Sequence, residues 1–100
     1  MMPAPLMRPE RQPRPHEIEE EIRRFVADWF RDGRPQGLES DTPLVTSGIV
    51  DSAGVLELVE FLERQFRIHI TDADVSLRNC NTLAALTGLV LGKLTWAHPP

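Results

Sequence analysis

From Ser52 to Phe66 the chain carries a period that an α-helix satisfies and a β-strand does not. On a wheel of 100° per residue, Val55, Leu58, Val59, Leu62 and Phe66 fall in one arc of about 100°, while Ala53, Glu57, Glu60 and Arg64 gather opposite. A helix with one apolar arc must lay it against other elements to hide it from water. Two further stretches offer matching arcs. Ile18, Ile22, Phe25, Val26, Trp29 and Phe30 recur on one face of a first helix opening near Glu17, and Leu83, Leu86, Leu89 or Val90, and Leu94 mark a last helix capped by Thr82. No run of alternating apolar and polar residues is long enough to compete, so the expected fold is an all-α four-helix bundle: three major helices and a short third helix, with a long loop after the first.

The connections are equally informative. Glu17, Glu19, Glu20 and Glu21 crowd the positive end of the first helix, Glu19/Arg23 and Glu20/Arg24 are i,i+4 pairs with the acid leading, and Gly33 supplies the stop. Asp32 to Val50, with Gly33, Pro35, Gly37, Pro43 and Gly48, has no sustained period. A loop this long inside a compact domain is either functional or pinned, and Leu38, Leu44, Val45 and Ile49 are the expected pins. The loop then delivers Asp51 to a fixed place. Beyond Phe66, Arg67 to Ile70 reads as an extended link with Ile68 and Ile70 on one side. Thr71 to Asp74 has the chemistry of a cap, leading into a short helix near Asp72 to Ser76 with Val75 and Leu77 turned inward. Arg78 to Asn81 has turn chemistry. Gly88 and Gly92 weaken the last helix and suit close packing against it.

One hundred residues with 41% hydrophobic content suffice for one core. The expected division is a Pro/Arg-rich disordered tail over 1–15, a single domain over 16–95 and a C-terminal tail over 96–100. The tail holds Pro3, Pro5, Pro9, Pro13 and Pro15 with Arg8, Arg11 and Arg14, a composition that buries too little apolar surface to offset ordering entropy. Fifteen acids against eleven bases, a formal charge of -4, argue against a nucleic-acid partner and for one with a basic docking surface. Cys80 is the sole cysteine, so neither an internal disulfide nor a Cys-rich zinc site can form, and a buried apolar role suits it. No stretch approaches a membrane span and no signal-peptide apolar core is present. The expectation is a cytoplasmic monomer with no membrane partner.

Asp51-Ser52 stands where the loop meets the amphipathic helix. Asp51 can cap that helix, its carboxylate accepting backbone N–H groups at the positive end of the dipole. Ser52 falls on the first turn with its hydroxyl near solvent. On these two residues alone, a plain helix start and an attachment point are both open. Hydrolase chemistry is not: a nucleophile elbow needs Gly at positions 50 and 54, and position 50 is Val. His69 lies about 25 Å along the helix from Ser52, too far to serve as its base. Asp72-Ala73-Asp74 has the opening of a calcium loop, yet Leu77 occupies the required Gly position and no Glu follows at 83. No catalytic set and no metal site emerges, and no enzyme activity is expected.

Leu44-Val45, Gly48-Ile49-Val50-Asp51-Ser52, Glu57-Leu58-Val59, Leu62-Glu63, Phe66, Ile68, Ile70, Asp72 and Thr82-Leu83 together resemble the acyl carrier protein family over about Ile18 to Leu94. The resemblance implies that Ser52 receives 4'-phosphopantetheine from coenzyme A by the action of a phosphopantetheinyl transferase. The arm then holds an acyl or aminoacyl group as a thioester for delivery to partner enzymes. Asp51 matches the acid beside the attachment serine, Leu56 a partner-facing apolar position, and Glu57 and Glu63 an acidic recognition helix. Ile68 and Val75 match positions bordering the arm pocket. Ala53-Gly54 departs from fatty-acid carriers and is more like D-alanyl and other aminoacyl carriers, while Glu60 and Arg64 depart from the residues fatty-acid carriers have at those positions and so from docking to the ordinary fatty-acid synthase enzymes. A specialised pathway is therefore implied, with an acyl- or aminoacyl-loading ligase and downstream transferases as partners. The alternative is a helical docking module that keeps the fold, carries no arm and presents only the Glu57/Glu60 face.

Overall fold

The computed structural model describes residues 13–97, so most of the expected N-terminal tail and residues 98–100 lie outside the described residues. Four α-helices and a 3-10 turn follow in order: α1 (Pro15–Phe30), α2 (Ser52–Phe66), the turn Asp72–Asp74, α3 (Leu77–Cys80) and α4 (Leu83–Ala97). No strand occurs among the described residues. The fold is the all-α carrier-like bundle, with α4 packed most extensively on α1 and also against α3 and α2.

α1 opens earlier than the first periodic residues suggest. Pro15 takes the first helical position, where its missing N–H costs nothing, and the Arg14 N–H donates to the Glu17 carboxylate at 3.0 Å. Ile18, Ile22, Phe25 and Val26 are buried as the period requires, and Ala27 joins them. Trp29 does not: its side chain is 58% exposed, lying against Phe25 at a centroid distance of 5.5 Å. The helix stops where the Arg31 and Gly33 N–H groups both donate to the Ala27 carbonyl, with Gly33 at φ +79. Arg23 pairs with Glu19 at 2.7 Å as expected, but its other nitrogen takes Glu20, the acid assigned from the sequence to Arg24. One turn of helix places both acids within reach of a single guanidinium.

α2 spans the residues its period marks, burying Leu58, Leu62 and Phe66 completely or nearly so. It ends on Arg67 in the left-handed region, φ 56, whose N–H donates to the Glu63 carbonyl. Ile68 and Ile70 of the extended link both turn into the core. The next segment departs from expectation. Asp72–Asp74 closes only a 3-10 turn, capped by Thr71, and Val75 reverts to an extended conformation. A new helical turn then begins behind Ser76, whose hydroxyl accepts the Asn79 N–H at 3.1 Å, so Leu77 to Cys80 is helix and not irregular turn. Leu77 points outward at 54% exposure, not inward. Cys80 is the residue of α3 that reaches the core.

In α4, Val90 and not Leu89 completes the buried stripe with Leu83, Leu86 and Leu94, and the Thr82 hydroxyl accepts the Ala85 N–H at 3.0 Å. Thr87 is buried with them, and among the described residues its hydroxyl is the buried side-chain polar atom that lacks a hydrogen-bond partner. Gly88 and Gly92 are not packing sites, because a Cβ at either would meet nothing within 4 Å.

Candidate functional site

The site is built by the long loop. Its four expected pins differ in degree: Leu38 and Leu44 are fully engaged in the core and Val45 and Ile49 only pack against it, while Val50, not among them, is buried as deeply as Leu44. Apolar contacts alone do not hold it. The Arg23 Nε donates to the Leu38 carbonyl at 2.7 Å, and the Ala84 N–H to the Ser40 carbonyl at 3.0 Å. Asn81 does more than any other residue. Its carbonyl accepts the Leu44 N–H at 2.7 Å, and its side-chain Oδ1 accepts the N–H groups of Val45 and Thr46 at 2.8 and 3.1 Å. The Val50 N–H then donates back to the Leu44 carbonyl at 2.9 Å, closing the loop on itself immediately before Asp51. Sequence reading took Asn81 as a turn residue. The only signal for this second role was an amide side chain beside the cap of α4, and that is too common to be diagnostic.

Asp51, extended at φ -87 and ψ -176, accepts the Gly54 N–H on its Oδ1 at 2.8 Å. It is the cap the sequence suggested. Ser52 is the first residue of α2 and is exposed. The N–H groups of a first helical turn have no intrahelical acceptor, so those of Ser52 and Ala53 are free to face an anion on the Ser52 hydroxyl, and the dipole favours one there. Gly54 seats this turn. It is buried, and a Cβ on it would stand 2.6 Å and 2.9 Å from the ring carbons Cε1 and Cζ of Phe30. Only a residue without a side chain lets the start of α2 lie this close to the end of α1.

Beside Ser52 opens a cavity of about 410 Å³, lined by Val45, Val55, Leu56, Val75, Leu77 and Cys80, with Ser52 and Ser76 as its polar members. It carries no charged side chain. Val75, named from the sequence as a pocket residue, is part of this lining. Ile68, named with it, is not: it is 8% exposed and packed in the core beyond the other end of α2. Leu77, on the exposed side of α3, is the lining residue that sequence reading turned the wrong way. Cys80 forms part of the lining, and burial raises its thiol pKa above the ordinary value.

On the outer face of α2, Ala53, Leu56, Glu57, Glu60 and Arg64 are exposed together, Leu56 at 64%. Glu63 is set apart from this face. Its Oε2 accepts the Ile70 N–H at 2.8 Å and stands 3.6 Å from His69 Nδ1, so it ties down the link after α2. Outside the cavity lining, Lys93 of α4 reaches Asp74 at 2.6 Å. That hydrogen bond, joined by the Thr71 N–H, lowers the Asp74 carboxyl to about 2. Among the described residues no three His, Cys, Asp or Glu side chains gather as metal ligands, and no helix is long and apolar enough to cross a membrane.

Two comparisons bear on this geometry. Residues 20–90 match the family described as phosphopantetheine attachment site. The chain is also 34% identical over 82 residues to a probable acyl carrier protein, PigG, of Serratia sp. (strain ATCC 39006), an alignment covering 82% of this chain and 92% of that one.

Proposed function

Given that this chain belongs to the acyl carrier protein family, we propose that Ser52 is the residue that bears its 4'-phosphopantetheine. Members of the family are not enzymes. The arm supplies a thiol that takes up acyl groups as thioesters, and the protein holds and presents it. The observation that carries the assignment to Ser52 is its position: an exposed hydroxyl on the first turn of α2, behind the Asp51 cap and at the mouth of an uncharged cavity.

The roles of the surrounding residues follow from that position. The free first-turn N–H groups of Ser52 and Ala53 offset the charge of a phosphodiester on Ser52, and the Asp51 carboxylate is kept from that phosphate by its bond to Gly54. Val75, Leu77 and Val55 give the arm an apolar wall. Ala53, Leu56, Glu57, Glu60 and Arg64 form the docking face for three kinds of partner: a phosphopantetheinyl transferase, an acyl- or aminoacyl-loading ligase, and downstream transferases. The cargo is an amino acid or unusual acyl group of a specialised pathway, a reading supported by the small Ala53-Gly54 pair and the mixed charge of Glu60 and Arg64. The carrier works in the cytoplasm.

Incubation with coenzyme A, magnesium and a broad-specificity phosphopantetheinyl transferase is expected to raise the intact mass by one arm in the wild type and not in Ser52→Ala. An equal gain in Ser52→Ala would place the arm elsewhere. Incubating the arm-bearing protein with adenylating enzymes and candidate amino or fatty acids, then reading the thioester mass, identifies the cargo class. Loading only by housekeeping fatty-acyl enzymes would refute the specialised role.

A further inference from the structure

Asn81 does not line the cavity beside Ser52, yet it joins two of its walls. Its N–H donates to the Leu77 carbonyl at 3.0 Å and closes α3, whose Leu77 and Cys80 line the cavity. On the other side its carbonyl and Oδ1 accept the N–H groups of Leu44, Val45 and Thr46, and its Nδ2 donates to the Thr46 hydroxyl at 3.3 Å. Val45 belongs to the cavity lining as well. Three consecutive loop residues are therefore referred to one side chain and its own backbone.

From Leu44 the connection runs on to Ser52. The Val50 N–H donates to the Leu44 carbonyl at 2.9 Å, Asp51 follows, and its Oδ1 accepts the Gly54 N–H at 2.8 Å. Ser52 lies between these last two bonds. As the first residue of α2 its N–H has no intrahelical acceptor, so its place is set by the chain before it as much as by the helix after it. We infer that Asn81 is a positioning residue for the transfer of the arm to Ser52, an inference that rests on Ser52 being the attachment residue. In that transfer the Ser52 oxygen bonds to the phosphorus of coenzyme A that carries pantetheine. The pyrophosphate bond to adenosine 3',5'-bisphosphate breaks, and the hydroxyl proton passes to a base of the transferase or to solvent. Reaction needs the oxygen about 3–3.5 Å from the phosphorus and aligned with the breaking bond. Without the Oδ1 acceptor the loop settles elsewhere and takes Asp51 and Ser52 with it.

The test follows arm transfer from saturating coenzyme A by a broad-specificity phosphopantetheinyl transferase, with the full-length carrier as the varied substrate. Asn81→Ala is expected to lower kcat by about ten- to a hundredfold, the cost of a misplacement on the order of 1 Å, with KM for the carrier changed by less than about twofold. A merely structural role moves the other constant: an unfolded fraction only dilutes the substrate, raising KM and leaving kcat at saturation unchanged. Asn81→Asp, whose carboxylate offers the same N–H groups an acceptor, should restore kcat. Asn81→Gln sets the amide one methylene further out and should lower kcat in the same sense, so it carries the test where Asn81→Ala does not fold. Wild-type kcat in Asn81→Ala and Asn81→Gln, or a loss in Asn81→Asp equal to theirs, would overturn the inference and leave Ser52 as the attachment residue. Wild-type protein that gains no arm, or an equal gain in Ser52→Ala, would instead overturn the Ser52 reading, and the role of Asn81 with it.

Discussion

Replacing Gly54 by Ala tests whether the turn that carries Ser52 is seated by contact with α1. The new Cβ would stand 2.6 Å from Phe30 Cε1, 2.9 Å from Cζ and 3.1 Å from Asp51 Oδ1, where carbon pairs rest at about 3.5–4.0 Å. Either the Phe30 ring or the start of α2 must yield by about 1 Å. Overpacking of this kind costs about 1–3 kcal/mol, and the better helix propensity of Ala returns at most about 1 kcal/mol. The expected net loss is about 1–2 kcal/mol, read in urea unfolding as a midpoint lowered by about 0.5–1 M at unchanged slope. Gly88→Ala provides the contrast, because nothing stands within 4 Å of its Cβ and the entropic gain of about 0.5–1 kcal/mol is unopposed. Phe30→Leu in the Gly54→Ala background removes the ring atoms in conflict and should recover part of the loss. A Gly54→Ala protein as stable as the wild type, or one that Phe30→Leu only weakens further, would refute the reasoning.

Three other perturbations have definite expected outcomes. Asn81→Ala leaves the N–H groups of Val45 and Thr46 without their acceptor and should cost about 1–3 kcal/mol in thermal or urea unfolding, with faster amide exchange in the loop; protection equal to wild type would show that the loop is held otherwise. The folded chain gives up the Asp74 proton more readily than the unfolded one, so the stability contributed by the Asp74–Lys93 pair is complete above about pH 4 and lost as pH falls through about 2. Lys93→Gln should therefore flatten the pH dependence of the urea midpoint in that window, and parallel curves would argue against the pairing. Thr87→Val replaces a buried hydroxyl that has no partner by a methyl of similar size, and should stabilise the fold by about 1 kcal/mol; destabilisation would mean that the hydroxyl is satisfied in solution.

What could be read from residues alone was periodicity. The α2 arc, the α1 positions from Ile18 to Val26, the Asp51 cap and the Thr82 cap all follow from spacing within a few residues, and spacing is local. What escaped was set between elements. Trp29 continues the α1 period but lies at the rim of the α1–α2 contact, leaning on Phe25 with more than half its surface exposed. Leu77 looked inward only while one helix was taken to run through Ser76, and a fresh cap at Ser76 rotates it to the surface. Ile68 shares an apolar character with Val75, yet the bundle places one in the core and the other at the cavity. The same limit applies to Gly54, where the composition around Ser52 marked a departure from fatty-acid carriers but not the Phe30 ring that requires it.

The close seat of α2 on Phe30 has a mechanical meaning for a protein whose cargo swings. The displacement of an arm's tip is the angular play at its pivot multiplied by the arm's length, so any rocking of the first turn of α2 reaches the thioester amplified. With the turn wedged against α1 on one side and the loop fastened through Asn81 on the other, an arm on Ser52, as proposed, has a pivot held from two sides. A partner enzyme then searches for the cargo over a sphere whose centre stays still.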